Sequence, residues 1–177
     1  MGRRLHIGGK AAAPGWEVLD AVPGPHVTHV GNANDMSRFR DATFEALYAS
    51  HVVEHLDYKD ELLATLKEWR RVLVPGGVLY VSVPDLDVLA RLFLDRTRLT
   101  LEERFFVMRM IFGGHVDEYD YHQTGLNEEF LRIFLRQAGF VGIRRVASFG
   151  LFKDTSSMVF KGMPISVNLT AIRPQQG

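Results

Sequence analysis

From Tyr58 to Leu73 the apolar residues Leu62, Leu63, Leu66, Trp69, Val72 and Leu73 recur at helical spacing and define one face. Asp57 can cap the start of this helix, with Asp60 and Glu61 near the positive end of its dipole. Pro75-Gly76-Gly77 stops it, and Val78-Leu79-Tyr80-Val81-Ser82-Val83 follows as a nearly continuous apolar strand. A strand apolar on both sides belongs in a sheet covered on both faces.

The flanking segments extend the same alternation. Before the helix come four short strand-like runs: Arg4 to Ile7 ending in Gly8-Gly9, Trp16 to Asp20, His26 to Val30, and Ala46 to Ala49. After the strand, Leu86–Leu94 and Leu101–Phe112 read as helices. Asn127 to Ala138 is a clearer one, with Asn127 as cap, Glu128 and Glu129 in the first turn and Gly139 just past the end. Late strands are expected around Ile143 to Phe149 and Ile165 to Ile172. Strands alternating with helices predict one open α/β sheet, mostly parallel, over residues 1–177.

Composition removes several function classes. Lys plus Arg and Asp plus Glu stand at 21 each, so no global field draws the chain to nucleic acid or an anionic membrane. The sequence contains no cysteine, which excludes disulfides, thiolate metal sites and cysteine nucleophiles. No apolar run approaches the roughly 20 residues of a spanning helix, and no signal-peptide pattern opens the chain, so a cytoplasmic protein is expected.

In open parallel sheets ligands sit beyond the carboxyl ends of the strands. The residues placed there are Gly8-Gly9, Asp20, Asn32-Ala33, Ser50-His51 and Pro84-Asp85. Glycines after a first strand let a ligand approach the backbone, an acid after the second can accept from two ribose hydroxyls, and an amide after the third can read an adenine edge. Together they describe an adenosine-containing cofactor lying across the sheet.

Two segments carry a family resemblance. Phe44-Glu45-Ala46-Leu47-Tyr48-Ala49-Ser50-His51-Val52-Val53-Glu54-His55-Leu56 and Trp69-Arg70-Arg71-Val72-Leu73-Val74-Pro75-Gly76-Gly77-Val78-Leu79 resemble class I S-adenosylmethionine-dependent methyltransferases. The nearest likeness is to small members encoded with glycan or natural-product genes. The resemblance implies a Rossmann-like methyltransferase sheet with an antiparallel C-terminal strand. It also implies S-adenosyl-L-methionine as cofactor and a small-molecule or glycan acceptor methylated on oxygen or nitrogen. Ile7, Gly8, Gly9 and Lys10 match the glycine-rich loop around the methionine part of the cofactor, and Asp20 matches the ribose-binding acid. Asn32, Ala33 and Met36 match the adenine loop, while Ser50 and His51 match the turn facing cofactor and acceptor. The family has an acid or Asn where His6 stands and a glycine where Lys10 stands.

The connections from Gly9 to Trp16 and from Asp20 to His26 are too short for full crossover helices, which generally need a dozen or more residues. One side of the sheet is therefore expected to be thinly covered, which favours a homodimer.

His51-Val52-Val53-Glu54-His55 also matches the H-x-x-E-H zinc-peptidase pattern. Two histidines at i and i+4 of a helix share a face, and Glu128 or Glu129 is the nominal third ligand. The methyltransferase resemblance accounts for the motif in a better-matched context. His51 is then expected to face the site, Glu54 and His55 to brace the turn, and no metal to bind. The region 85–126 lies where this fold inserts an acceptor cover. Within it Asp120 and His122, together with His51, are the candidates for a general base. A fold that has lost turnover and only binds its ligand is the alternative.

Overall fold

The computed structural model describes residues 2–175. Seven strands form one sheet: β1 (Arg3–Ile7), β2 (Glu17–Asp20), β3 (His29–Val30), β4 (Phe44–Ser50), β5 (Leu73–Pro84), β6 (Val141–Arg145) and, last in the chain, β9 (Ser166–Ile172). A two-stranded ribbon, β7 (Val159–Phe160) with β8 (Met163–Pro164), lies outside it. The helices are α1 (Glu61–Val72), α2 (Leu86–Leu94), α3 (Leu101–Phe112) and α4 (Glu128–Gln137). The sheet order is β3-β2-β1-β4-β5-β9-β6, parallel from β3 to β5 and antiparallel where β9 pairs with β5 and β6. This is the Rossmann-like sheet with an antiparallel C-terminal strand that the family resemblance implies. No α-helix joins β1 to β2 or β2 to β3.

Period-two alternation divides the sheet into two faces. Leu5 and Ile7, Leu47 and Ala49, Leu79 and Val81, and Leu169 and Ala171 turn to one face and are at most 1% exposed. They meet Leu62, Leu66, Trp69 and Val72 of α1 and Leu131 and Leu135 of α4 in one continuous core. The side chains between them, including His6, Tyr48 and Tyr80, form the other face.

That second face is closed by the chain itself, which corrects the expectation of a thinly covered side. Trp16 and the segment before β7 stand in for the absent crossover helices. The Phe152 ring sits 4.1 Å from the His6 ring and 4.5 Å from Tyr48, and Phe149 lies 5.4 Å from Tyr48. Tyr48 is fully buried and donates its hydroxyl to Asp154 Oδ2 at 2.7 Å. The motive for a second copy on this face is correspondingly weakened.

The helix boundaries follow local chemistry. Asp57 does not cap α1 with its side chain in the expected way. Its carbonyl accepts from Glu61 and Leu62, its backbone N–H donates to Glu61 Oε2, and the helix begins at Glu61. The helix ends at Val72, before Pro75, because Leu73 has already turned extended to pair with Phe44. Arg173 donates to the carbonyls of Arg70, Arg71 and Leu73, satisfying the orphaned helix end. Pro75-Gly76-Gly77 instead lies inside β5, at the register shift opposite Phe44 and Ala46.

The expected third strand from His26 shrinks to His29–Val30, because Thr28 bonds Val18 through both its N–H and its Oγ1. Helix α3 keeps its predicted limits and starts in a reciprocal box between Thr100 and Glu103. Leu89 and Leu92 of α2, Leu99, Val107 of α3 and Ile165 make a second, smaller core, so α2 and α3 pack together beside the sheet. Among the described residues no helix is long and apolar enough to cross a membrane.

Candidate active site

A cavity of about 880 Å³ opens at the carboxyl ends of β1, β2, β3 and β4. It is near the upper end of the range for small-molecule and cofactor sites. Its walls come from the loop after β1, the ends of β2 and β3, the turn after β4, and two distant segments, 116–121 with Gln123 and 152–155.

Gly8 holds φ +71°, a conformation open to glycine at little cost. Its N–H donates to Leu19 O at 2.8 Å, and an added Cβ would stand 2.8 Å from Val52. Ile7 and Gly8 line the cavity. Gly9 does not, and an added Cβ there would meet the His6 ring at 2.8 Å, so packing against His6 demands this glycine.

Asp20 ends β2 on the cavity wall, 6% exposed. Its Oδ1 accepts from Val22 N, and its Oδ2 lies 2.9 Å from Lys10 Nζ. Lys10 thus answers the carboxylate that the sequence assigns to a ribose. Asn32 and Ala33 line the next stretch of wall, and the Ala33 carbonyl accepts from Trp69 Nε1 at 2.8 Å. Met36 lies apart from the cavity, fully buried in the main core, with its carbonyl taken by Arg71.

Ser50 and His51 sit at the floor. Ser50 lines the cavity, and its Oγ is buried with no hydrogen-bond partner among the described residues. His51 has φ +57°, uncommon outside glycine, and is held there by its N–H donating to Ser82 O at 2.9 Å. Its Nε2 lies 3.0 Å from Ser166 Oγ and its Nδ1 lies 3.3 Å from Glu54 Oε1. Burial, helped by the neighbouring His122, pushes its pKa down to about 4, so the ring is neutral near pH 7.

The H-x-x-E-H segment is not a helix. His51 belongs to the strand-end turn, and only Val53–His55 forms a single 3₁₀ turn, so His51 and His55 do not share a helical face. Glu128, one nominal third ligand, is bonded to Arg132 and Arg145 instead. Glu54 is 1% exposed, and burial raises its carboxyl pKa to about 8. His55 reaches the cavity wall, which differs from the purely bracing role expected of it.

Asp120 lines the cavity, where its Oδ2 receives Val116 N at 3.3 Å. His122 lies outside the large cavity, on a small crevice with Ile111 and Leu126, and its ring meets His55 edge to face at 4.8 Å. Among the described residues, Glu54, His55 and His122 present ligand atoms within 4.8 Å of one another.

Sequence reasoning missed the contribution of Phe152 to Thr155, which bring an aromatic ring, Lys153 and Asp154 over the β1 end. Within the expected 85–126 cover, Val116 to Glu118 also line the cavity, residues that sequence reasoning did not single out. Neither stretch carries a local signature, because tertiary packing alone brings them to the site.

Comparison with known proteins agrees with this geometry. Residues 14–81 match the family model described as "Methyltransferase domain". The probable methyltransferase ltbC of Aspergillus luteorubrus is 29% identical over 139 residues, spanning 74% of this chain and 43% of that protein. The crystal structure of a SAM-dependent methyltransferase from Archaeoglobus fulgidus superposes with a TM-score of 0.59 at 16% identity, over 97% of this chain and 86% of that one. The N-methyltransferase NodS from Bradyrhizobium japonicum WM9, in complex with S-adenosyl-L-homocysteine, gives 0.58 at 14% identity, over 98% and 78%. At such identities the structures speak for the fold. The chain spans less than half the length of the curated relatives it matches. The partial family match and the curated relatives liken this chain to methyltransferases, and the solved structures share its fold.

Proposed function

We propose, for a chain with the sequence likeness and fold of a class I methyltransferase, that the cavity binds S-adenosyl-L-methionine. The methyl group then goes to an oxygen or nitrogen of a small-molecule or sugar acceptor. The observation that carries this reading is the convergence of Gly8, Asp20, Asn32, Ala33, Ser50 and His51 on one cavity at the carboxyl ends of the parallel strands.

The residues present fit the cofactor. Asp20 is positioned to take the ribose hydroxyls if Lys10 releases one of its oxygens. The loop at Asn32 and Ala33, tied to α1 through Trp69, would flank the base. The unanswered Ser50 Oγ offers a hydrogen bond where the methionine part would pass. The cofactor supplies an electrophilic methyl on a sulfonium.

The protein's share of the reaction is positioning and exclusion of water. The 116–121 loop and Phe152 both line the cavity and would help to shield a bound acceptor from water. Of the three candidate bases, Asp120 and His51 stand on the cavity and His122 does not. His51 Nε2 is already bonded to Ser166 Oγ and burial weakens the ring's basicity, so Asp120 is the better-placed acceptor of a hydroxyl proton. The test is turnover with S-adenosyl-L-methionine and hydroxyl- or amine-bearing sugars and small molecules, followed by release of S-adenosyl-L-homocysteine.

The Lys10–Asp20 ion pair favours one second reading, a binding protein that keeps the fold with weak or no turnover. Tight cofactor binding without product across a broad acceptor panel is its signature.

A further inference from the structure

The carboxyl of Glu54 poses a problem that methyl transfer does not solve. The residue is 1% exposed, and neither carboxyl oxygen has a hydrogen-bond partner among the described residues. His51 Nδ1 stands 3.3 Å from Glu54 Oε1, without hydrogen-bond geometry. Burying a carboxyl with nothing to answer it is costly and calls for a missing partner.

Two imidazoles converge on the same point. His55 Nδ1 lies 3.1 Å from Tyr121 O, and His122 Nδ1 lies 3.2 Å from Ile111 O. A carbonyl only accepts, so each Nδ1 must carry the proton, and each Nε2 is left with its lone pair. A backbone carbonyl fixing one ring nitrogen while the other stays free is the usual outer shell of a metal-binding histidine.

The arrangement is also held in place independently of any ligand. Gln123 N and Thr124 N both donate to Glu54 O, at 2.8 and 3.0 Å. Gln123 Nε2 donates to His55 O, and Thr124 Oγ1 donates to Leu56 O. Four hydrogen bonds therefore fasten the segment that carries His122 to the turn that carries Glu54 and His55.

We propose that Glu54, His55 and His122 form a binding site for one divalent first-row transition-metal ion, set in the cavity wall at His55. One carboxylate and two imidazoles with no thiolate suit zinc or its neighbours, and three protein ligands leave coordination positions open to water or an acceptor atom. The ligand atoms now lie within 4.8 Å of one another. Ligands about 2.0–2.1 Å from a tetrahedral ion stand roughly 3.4 Å apart, so loading draws them inward by an ångström or so. The site uses Glu54 and His55 of the H-x-x-E-H pattern but replaces its first histidine with His122, from the far end of the cover. It stands on this geometry and does not depend on the methyl-transfer reading.

The test is metal binding by the full chain, purified without chelators or an immobilised-metal step. Elemental analysis and calorimetric titration of the metal-free protein with Zn²⁺ and with Mn²⁺ are expected to give one ion per chain. His122→Ala and Glu54→Gln are expected to weaken binding by at least about a hundredfold, whereas His26→Ala, outside the site, leaves it unchanged. Circular dichroism checks that each variant folds. If Glu54→Gln does not fold, His122→Ala decides alone, supported by the visible spectrum of bound Co²⁺, which that variant should alter. Absence of stoichiometric binding by the unmodified protein, or equal affinity in His122→Ala, overturns the proposal.

Discussion

Lys10 Nζ stands 2.9 Å from Asp20 Oδ2, joining a lysine whose side chain is 80% exposed to a carboxylate that is 6% exposed. The lysine is the mobile, solvated partner, and the carboxylate is fixed by Val22 N. Any ribose reaching Asp20 must compete with it. Lys10→Met is therefore expected to tighten S-adenosyl-L-methionine binding roughly threefold to fivefold, the worth of an exposed ion pair at about 0.5–1 kcal/mol. Calorimetry on both proteins measures this, and weaker binding by the variant would mean that Lys10 holds the cofactor rather than competing with it.

Trp69 connects the core to the cavity, with its ring buried and its Nε1 bonded to Ala33 O. Trp69→Phe keeps much of the apolar contact and orphans that carbonyl. A loss of about 1–2 kcal/mol in urea unfolding is expected, together with weaker cofactor binding. A variant that loses stability but binds as before would separate the Ala33 loop from the cofactor.

Tyr48 and Asp154 hold the 152–155 segment against the sheet. The Tyr48 hydroxyl is raised in pKa by burial and stays a donor at all accessible pH. Tyr48→Phe removes a hydrogen bond to a charged acceptor, so a loss of about 1.5–3 kcal/mol is expected. Faster amide exchange confined to 152–157 would accompany it.

His6 sets a pH signature. Burial between Tyr48 and Phe152 lowers its pKa to about 4, with Asp154 and Asp20 partly opposing the shift. Between about pH 6.5 and 4 the unfolded chain takes up a proton at this residue and the folded chain does not. Stability attributable to His6 therefore falls as pH is lowered through that window, on the order of 2 kcal/mol over its span. The difference between the unmodified protein and His6→Gln, followed by chemical denaturation from pH 7 to 4, isolates it. Parallel curves would contradict the assignment.

The sequence announces what repeats locally. The α1 stripe, the doubly buried β5 run and the Asn127 cap are short-range patterns, and the corresponding elements lie where they predict. Strand-end residues were legible for the same reason, since a parallel sheet presents its carboxyl ends to one edge. Met36 shows the limit: an apolar residue in a loop looks the same whether it faces a cofactor or, as here, the core. Phe152 to Thr155 reach the cavity only through the long return that replaces crossover helices. The meeting of His55 and His122 needs the whole cover to fold back, so it left no mark in the spacing of either residue.

The central claim, that this cavity is built for S-adenosyl-L-methionine, is tested most directly by calorimetric titration of the purified chain with that cofactor and with S-adenosyl-L-homocysteine. One site per chain is predicted for each, with Asp20→Ala weakening both by at least about tenfold. No binding of either ligand by the folded protein, or binding that Asp20→Ala leaves untouched, would contradict it.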